Sequence, residues 1–296
     1  MSGVDTVRVS TAWRRGKAHG FRALTYLALL FVVGPAILLF VNVAAQAIPH
    51  WSWSVLTTVP LGNGGGLENA ILGTLVIMFG VLLLGGTTGV LAGIFLSEFV
   101  SVNRKGKERG GVLRASIDVL AGFPSIVLGY VGYVALAVGL HWGFSLLSAL
   151  IVLSLMVVPY ITKATETALR QVPTTYREGA EALGMRMGYS LRKVTLKTAL
   201  PGIVTGLLLA ESITVGETAP LLYTAGISNG LPTWQLVHQP IGYLTYYVWT
   251  DWNQPFPSLH YLSYDASLIL LVMILTLLVV SRLIVSRSQR HSESGR

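Results

Sequence analysis

The stretch Gln171–Gly202, QVPTTYREGAEALGMRMGYSLRKVTLKTALPG, is the one polar and charged island in an otherwise apolar second half of the chain, and its reading decides how the rest is arranged. Val172-Pro173 closes whatever precedes it, because proline restricts the residue before it and cannot extend a helix backwards. Thr175 followed by Glu178 spells a Thr-x-x-Glu capping box, in which the hydroxyl takes a free amide of the first turn and the carboxylate reaches back to the cap amide. Gly184 supplies the stop, since glycine adopts the left-handed C-terminal conformation at little cost, so a helix of about two turns is predicted near Tyr176 to Leu183. Tyr176, Ala180 and Leu183 share one face of it, and Arg177, Glu178 and Glu181 share the other. That is an amphipathic element suited to docking against another protein; a solvated helix joining two spans is the alternative that the pattern alone leaves open.

Outward from the island the chain is membrane-like. Of 296 residues 52% are hydrophobic and only 11% charged, which does not fit a soluble globule. With no cysteine there is no disulfide framework, thiolate metal site or thiol redox chemistry. The net charge of +8 would elsewhere suggest nucleic acid, but the placement of the positive residues explains it better, so no nucleic-acid partner is expected. Residues 1–20, with Arg8, Arg14, Arg15 and Lys17, read as a poorly ordered cytoplasmic arm. A membrane domain is expected over 21–285, with a short tail over 286–296. Span one, Phe21 to Ala47, is long enough to cross about 30 Å of hydrocarbon at 1.5 Å per residue, with Gly34-Pro35 as a kink. Ala45-Gln46-Ala47 imitates a signal-peptidase site, but the apolar run before it is too long for a signal h-region.

Ile48 to Gly66 reads as an external loop with interfacial tryptophans. Span two follows at about 67–96 and a basic loop at 97–114. Span three, about 116–140, is interrupted at Gly122-Phe123-Pro124, where it is expected to kink or unwind beside a cavity. Spans four, five and six are placed at about 144–161, 199–225 and 263–284. A cytoplasmic loop at 163–198 holds the island, and a long external loop at 226–262 carries Trp234, Tyr243, Tyr246, Tyr247, Trp249 and Trp252 on short segments at the outer interface. The arm with Arg22, the loop after span two, the island from Lys163 to Lys197 and the tail from Arg282 hold five, five, seven and four Lys or Arg residues. These are all 21 in the chain, and the external loops have none. The positive-inside rule therefore predicts six spans with both termini in the cytoplasm.

Chemistry-bearing motifs are sparse. No Gly-x4-Gly-Lys-Ser/Thr loop occurs, so ATP is not expected to bind this chain in the P-loop manner, and ATP energy has to arrive through a partner. No metallopeptidase or serine-hydrolase motif is present. His50, His141, His238 and His260 stand without carboxylates at ligand spacing, so no metal, resident cofactor or catalytic residue is assigned. Carboxylates inside spans are informative, because an aspartate-like charge costs about 2.5–3.5 kcal/mol at the bilayer centre on insertion scales. Glu211 lies near the middle of span five, and Glu217 lies about 9 Å further out. Each could pair with a polar group on a neighbouring helix or face the solute path. Asp118 and Glu98, near the cytoplasmic boundary, are read as anchoring or pairing there.

Glu178-Gly179-Ala180, three residues, Gly184, nine residues and Val194-x-Leu196 resemble the EAA loop of ABC importer permeases, with Gly179 for the middle alanine and Lys197 for the usual proline. Gly216-Glu217-Thr218-Ala219-Pro220-Leu221-Leu222-Tyr223-Thr224-Ala225 resembles the long GETAPLL(F/Y)TA signature of phosphate importer permeases of PstA type, and Leu120–Val127 extends the likeness. The resemblance implies an all-α membrane protein of type I ABC importer permease fold in the plasma (inner) membrane of a prokaryote. It implies Thr175, Glu178, Gly179, Ala180 and Gly184 for ATPase coupling, and Gly122, Pro124, Ser125, Glu211, Gly216, Glu217, Thr218 and Pro220 for the translocation path or gate. The implied partners are a second, PstC-type permease, two PstB-type ATPase subunits, a PstS-type phosphate-binding protein and the lipid bilayer. A self-sufficient secondary transporter or channel, and a permease for another oxyanion, are the alternatives. A membrane-embedded enzyme is the remotest reading, for want of a nucleophile-base pair. PstA-type chains commonly carry an arginine where this sequence has Ile213, so the positive charge on the path has to come from elsewhere.

Overall fold

The computed structural model describes residues 11–62, 64–100, 104–233 and 235–293. Residues 1–10 of the expected arm, and Trp234, lie outside the described residues. Residues 1–50 and 51–296 form two compact units. The first is helix α1, Thr11–Ala47, followed by a short 3-10 turn at Ile48–His50. Helix therefore begins ten residues earlier than the arm reading expected, and Pro35 sits inside α1 without ending it.

In the second unit a two-residue hairpin, Pro60–Leu61 with Gly64–Gly65, precedes a continuous helical run over 68–99. This run comprises α2 (Glu68–Val81) and α3 (Thr87–Ile94) with π-helical turns at Leu82–Gly86 and Phe95–Phe99. Next come α4 (Arg104–Gly122), α5 (Ser125–Gly132), α6 (Leu146–Arg170), α7 (Thr174–Ala182) and α8 (Met187–Ser190). The chain continues through α9 (Leu196–Gly216), α10 (Ala219–Thr224), α11 (Leu244–Thr250) and α12 (Pro257–Glu293).

Among the described residues five helical runs are long and apolar enough to cross a membrane: 17–50, 68–99, 146–170, 187–216 and 257–286. The predicted third span is the exception, because 110–122 and 125–139 meet at 101°. Contacts along α6 show that this bent pair crosses rather than returning on itself. At the C-terminal end of α6, Arg114 pairs with Glu166 at 2.6 Å and Lys163 with Asp118 at 2.7 Å. In the N-terminal third of α6, a Cβ on Gly132 would lie 2.2 Å from a Val152 methyl. At its N-terminal end, Trp142 accepts a backbone bond from His238 at 2.9 Å, while Leu147 donates to Leu236. A 25-residue helix is about 37 Å long. The bent pair runs along that length antiparallel to α6, and counted as one broken span it makes six candidate spans among the described residues.

The core surrounds α6, which is apolar on nearly all sides, as a central helix must be. Its Leu150, Leu153, Val157 and Ile161 meet Ile77 and Val81 of α2, Ala210 of α9 and Leu221 of α10. Lipid tails are as apolar as leucine, so helices inside a bilayer associate through close packing and buried hydrogen bonds rather than by escaping water. The sequence supplies both: Gly89 and Gly93 let α3 approach so closely that a Cβ would fall 2.7 Å from Ile161 and 2.6 Å from Thr165, and the Thr162 hydroxyl donates to the Gly89 carbonyl at 3.2 Å.

The long loop 226–262 departs from the interfacial reading. Trp249 and Trp252 are exposed, but Tyr243, Leu244 and Tyr247 are buried. The Asn69 amide explains part of this, because it donates to the Ser228 carbonyl at 2.6 Å and to the Tyr247 hydroxyl at 2.9 Å, tying the loop to α2.

Candidate functional site

Two places in the chain carry the predicted functional residues: the docking island and a junction of two broken helices. The island helix α7 starts one or two residues before the expected position, with Pro173 at its N-cap and no side chain capping it. The Thr175–Glu178 capping box therefore does not form. Thr174 and Thr175 already lie in the helix, and Pro173, which has no amide hydrogen to offer, occupies the cap. Gly184 does what its position predicts. With φ +70° it ends α7 in a Schellman turn, in which the Met185 amide donates to Ala180 at 3.0 Å and the Gly184 amide to Glu181 at 2.9 Å.

The facing of α7 also differs from the simple wheel. Ala180 is buried and Arg177 half-buried, while Glu178, Gly179, Tyr176 and Leu183 are exposed. Together with the exposed Met187 and Tyr189, this leaves an apolar and acidic surface open on the island. Arg177 turns inward because Glu98, at the end of the run 68–99, accepts its guanidinium at 2.7 Å. Nothing in the local pattern around Arg177 signals a partner 79 residues away.

The junction is built by two interruptions. Helix α4 stops at Gly122, because Pro124 offers no amide to continue it and stands at φ −59°, ψ 134° before α5 begins at Ser125. Helix α9 stops at Gly216, Glu217 is extended at φ −76°, ψ 130°, and α10 starts after Thr218 with proline in its first turn. The two restarted helices pack directly on each other. A Cβ on Gly129 of α5 would lie 2.6 Å from the Cα of Pro220, and Tyr130 meets Tyr223 edge to face at 6.0 Å. This contact brings the Ser125 side chain, at the first break, beside the Glu217 carboxylate, at the second. The Glu217 carbonyl in turn accepts from the Thr245 hydroxyl of α11 at 3.0 Å, a support from the loop 226–262 that the sequence did not reveal.

Gly122, Pro124, Ser125, Gly216, Glu217, Thr218 and Pro220 are thus gathered at one junction. Gly122, Phe123, Pro124 and Gly216 are exposed there, and Ile126, Val127 and Tyr130 continue the exposed face along α5. Glu211 sits elsewhere: it is 3% exposed within the bundle, and neither carboxylate oxygen has a hydrogen-bond partner. Among the described residues no group of three His, Asp or Glu side chains could hold a metal ion. The junction offers a half-buried carboxylate, a hydroxyl and backbone freed from helical bonding, which suits ion or solute handling between helices more than covalent chemistry.

Comparison with known proteins places this geometry. Residues 85–293 match the family described as binding-protein-dependent transport system inner membrane component. Over 285 residues the chain is 54% identical to the phosphate transport system permease protein PstA 2 of Mycobacterium bovis, covering 96% of this chain and 93% of that one. It is 32% identical over 289 residues to the phosphate transport system permease protein PstA of Yersinia pestis, covering 97% and 96%. Among solved structures, the inward-facing MetNI methionine ABC transporter matches with a TM-score of 0.54 at 21% identity, covering 75% of this chain and 94% of that one. An amino acid ABC transporter with histidines matches with a TM-score of 0.52 at 19% identity, covering 76% and 92%. The fold is that of ABC transporter permeases, and the chain, a multi-pass protein of the inner membrane, belongs to the family of binding-protein-dependent transport system inner membrane components.

Proposed function

We propose that this chain is the permease subunit of an ATP-driven ABC importer and that it moves inorganic phosphate inward. The observation that carries the reading is likeness over nearly the whole chain to permeases named for phosphate transport, together with the convergence of two helix breaks on the Glu217 segment. A second permease of PstC type faces the exposed side of the junction, two PstB-type ATPase subunits receive α7 and its flanks, and a PstS-type binding protein delivers phosphate to the external loops. Both termini lie in the cytoplasm, as the charge distribution supports. ATP is hydrolysed by the ATPase subunits, and this chain holds no cofactor.

The electrostatics of the junction constrain the mechanism. At an effective dielectric near 20, like charges 4 Å apart repel by about 4 kcal/mol, so an ionised Glu217 does not hold phosphate by itself. The second permease supplies an intramembrane arginine that pairs with Glu217 and turns its remaining donors to the anion, aided by the free amides at the start of α5. The role of Glu217 is to place that arginine, and Ser125 and Thr245 hold Glu217 from two sides. In a reconstituted complex, Glu217→Gln lowers phosphate uptake, and neutralising the partner arginine adds nothing further. The absence of any basic side chain near Glu217 in the complete complex would refute this electrostatic account. The two helix breaks also suit a self-sufficient secondary transporter. Phosphate uptake by the purified chain alone, without ATP, would favour that reading and overturn the importer assignment.

A further inference from the structure

Glu98 is a carboxylate only 7% exposed at the end of an apolar span, and a charge in that position is costly unless it is matched. The match comes from the docking helix. One guanidinium nitrogen of Arg177, Nη2, donates to Glu98 Oε1 at 2.7 Å and to the Leu169 carbonyl at 3.2 Å. Leu169 lies in the last turn of α6, where a cation is favoured by the helix dipole, and its carbonyl also accepts the Val172 amide at 3.3 Å. The Ser97 hydroxyl donates to the same Glu98 oxygen, fixing the carboxylate from its other side. A single side chain of α7 therefore grips the ends of two spans, the run 68–99 and α6. Ala180, one turn further along α7, is the one buried residue of that helix, so α7 touches the bundle through a narrow footprint of which the half-buried Arg177 is the polar part. A cleft of about 330 Å³ beside the pair, lined in part by Glu181, Met187 and Thr195, separates this grip from the start of the next span.

We propose that Arg177 is the positioning residue through which movement of the docking helix reaches the spans, with Glu98 as its buried anchor. The inference rests on the ABC importer reading. When the ATPase subunits draw α7, the side chain cannot be left behind without stranding a buried carboxylate and breaking its bond to the end of α6, so the cytoplasmic ends of the run 68–99 and of α6 follow. Exposed groups such as Glu178 and Tyr176 serve contact with the partner, and Arg177 serves transmission.

The experiment uses the assembled transporter in lipid vesicles and compares wild type with Arg177→Gln, Glu98→Gln, the double variant and the exchanged pair Arg177→Glu with Glu98→Arg. Three quantities are read: recovery of the ATPase with the chain, the ATPase rate, and phosphate carried per ATP hydrolysed. Either single variant keeps the ATPase bound and turning over but lowers phosphate per ATP by about 5-fold or more, the size of an ordinary coupling energy. The double variant is no worse than the singles, and the exchange recovers part of the loss. A second measurement does not depend on transport. The chain has no cysteine, so spin labels at Thr174→Cys and Phe99→Cys report one distance. That distance is the same in nucleotide-free and ATP-trapped complexes, and in Arg177→Gln it changes between the two. Wild-type phosphate per ATP in both single variants, or a wild-type distance that changes on trapping ATP, overturns the role of Arg177 and leaves the importer reading intact. Failure of the wild-type chain to recover any ATPase, or to take up phosphate with ATP, would instead sink the importer reading itself.

Discussion

Replacing Gly129 by alanine tests the contact that makes the junction. The added Cβ would sit 2.6 Å from the Cα of Pro220 and 3.3 Å from the Ala219 carbonyl oxygen, the first about 0.8 Å short of ordinary van der Waals contact. Both obstacles are backbone, one of them in a proline, so no rotamer change relieves the clash and α5 and α10 have to part. Overpacking of this kind costs about 1–3 kcal/mol, while alanine in place of glycine in a helix returns up to about 1 kcal/mol, leaving a net loss of about 0–3 kcal/mol. Gly122→Ala is the control, since a Cβ there meets nothing within 4 Å and the residue has no positive φ. It should be neutral or slightly stabilising. Ser125 lies one turn before Gly129, and Glu217 three residues before Pro220, so separating the helices also lengthens the contact between the two breaks. Thermal unfolding of the purified chain in detergent should rank Gly122→Ala at or above wild type and Gly129→Ala below it, and reconstituted phosphate uptake should fall only for Gly129→Ala. If Gly129→Ala unfolded with the control and transported normally, close packing of α5 on α10 would not be what holds the junction.

A reporter enzyme active only in the cytoplasm should work when fused after Lys107, Arg186 or Arg290 and be silent near Gly64 or Asn253; a strong signal at Asn253 would contradict the six-span orientation. Gly184→Val forces a β-branched residue to φ +70°, where even an ordinary side chain costs about 1–2 kcal/mol, so ATP-driven uptake should drop while membrane insertion persists. Glu178→Lys, on an exposed position that caps nothing, should likewise uncouple by inverting the charge offered to the partner, and wild-type uptake with both variants would reduce the island to a connecting loop. Burial raises the Asp251 carboxyl from its ordinary 3.8 to about 6, and its Oδ2 has no hydrogen-bond partner. The folded state thus holds this proton more tightly than the unfolded one. The residue costs nothing below about pH 4, the cost grows as pH rises towards 6, and above that it is on the order of 3 kcal/mol. Asp251→Asn should therefore unfold at higher temperature than wild type at pH 7 and identically at pH 3.5; equal melting at both would show that Asp251 is not buried as a charge.

The sequence alone determined the elements that depend on local chemistry and on the bilayer. Apolar runs of membrane length, the confinement of every Lys and Arg to alternate loops, proline after Phe123 and glycine at 184 each act through their own neighbours or through the lipid, so six spans, the break in the third and the end of α7 were legible. The start of α7 was misread because two capping solutions competed, and Pro173 at the cap position put Thr175 inside the helix. What needed the tertiary structure were the pairings across long sequence distance. The 101° turn that lets Ser125 reach Glu217, the seating of Gly129 on Pro220, the support of Glu217 by Thr245 and the inward turn of Arg177 to Glu98 all join residues that periodicity treats as unrelated. Inside a bilayer apolar burial does not choose between helix faces, because lipid and protein are equally apolar. Which faces meet is settled by small residues and by polar groups finding partners, and those matches exist only once the helices are side by side.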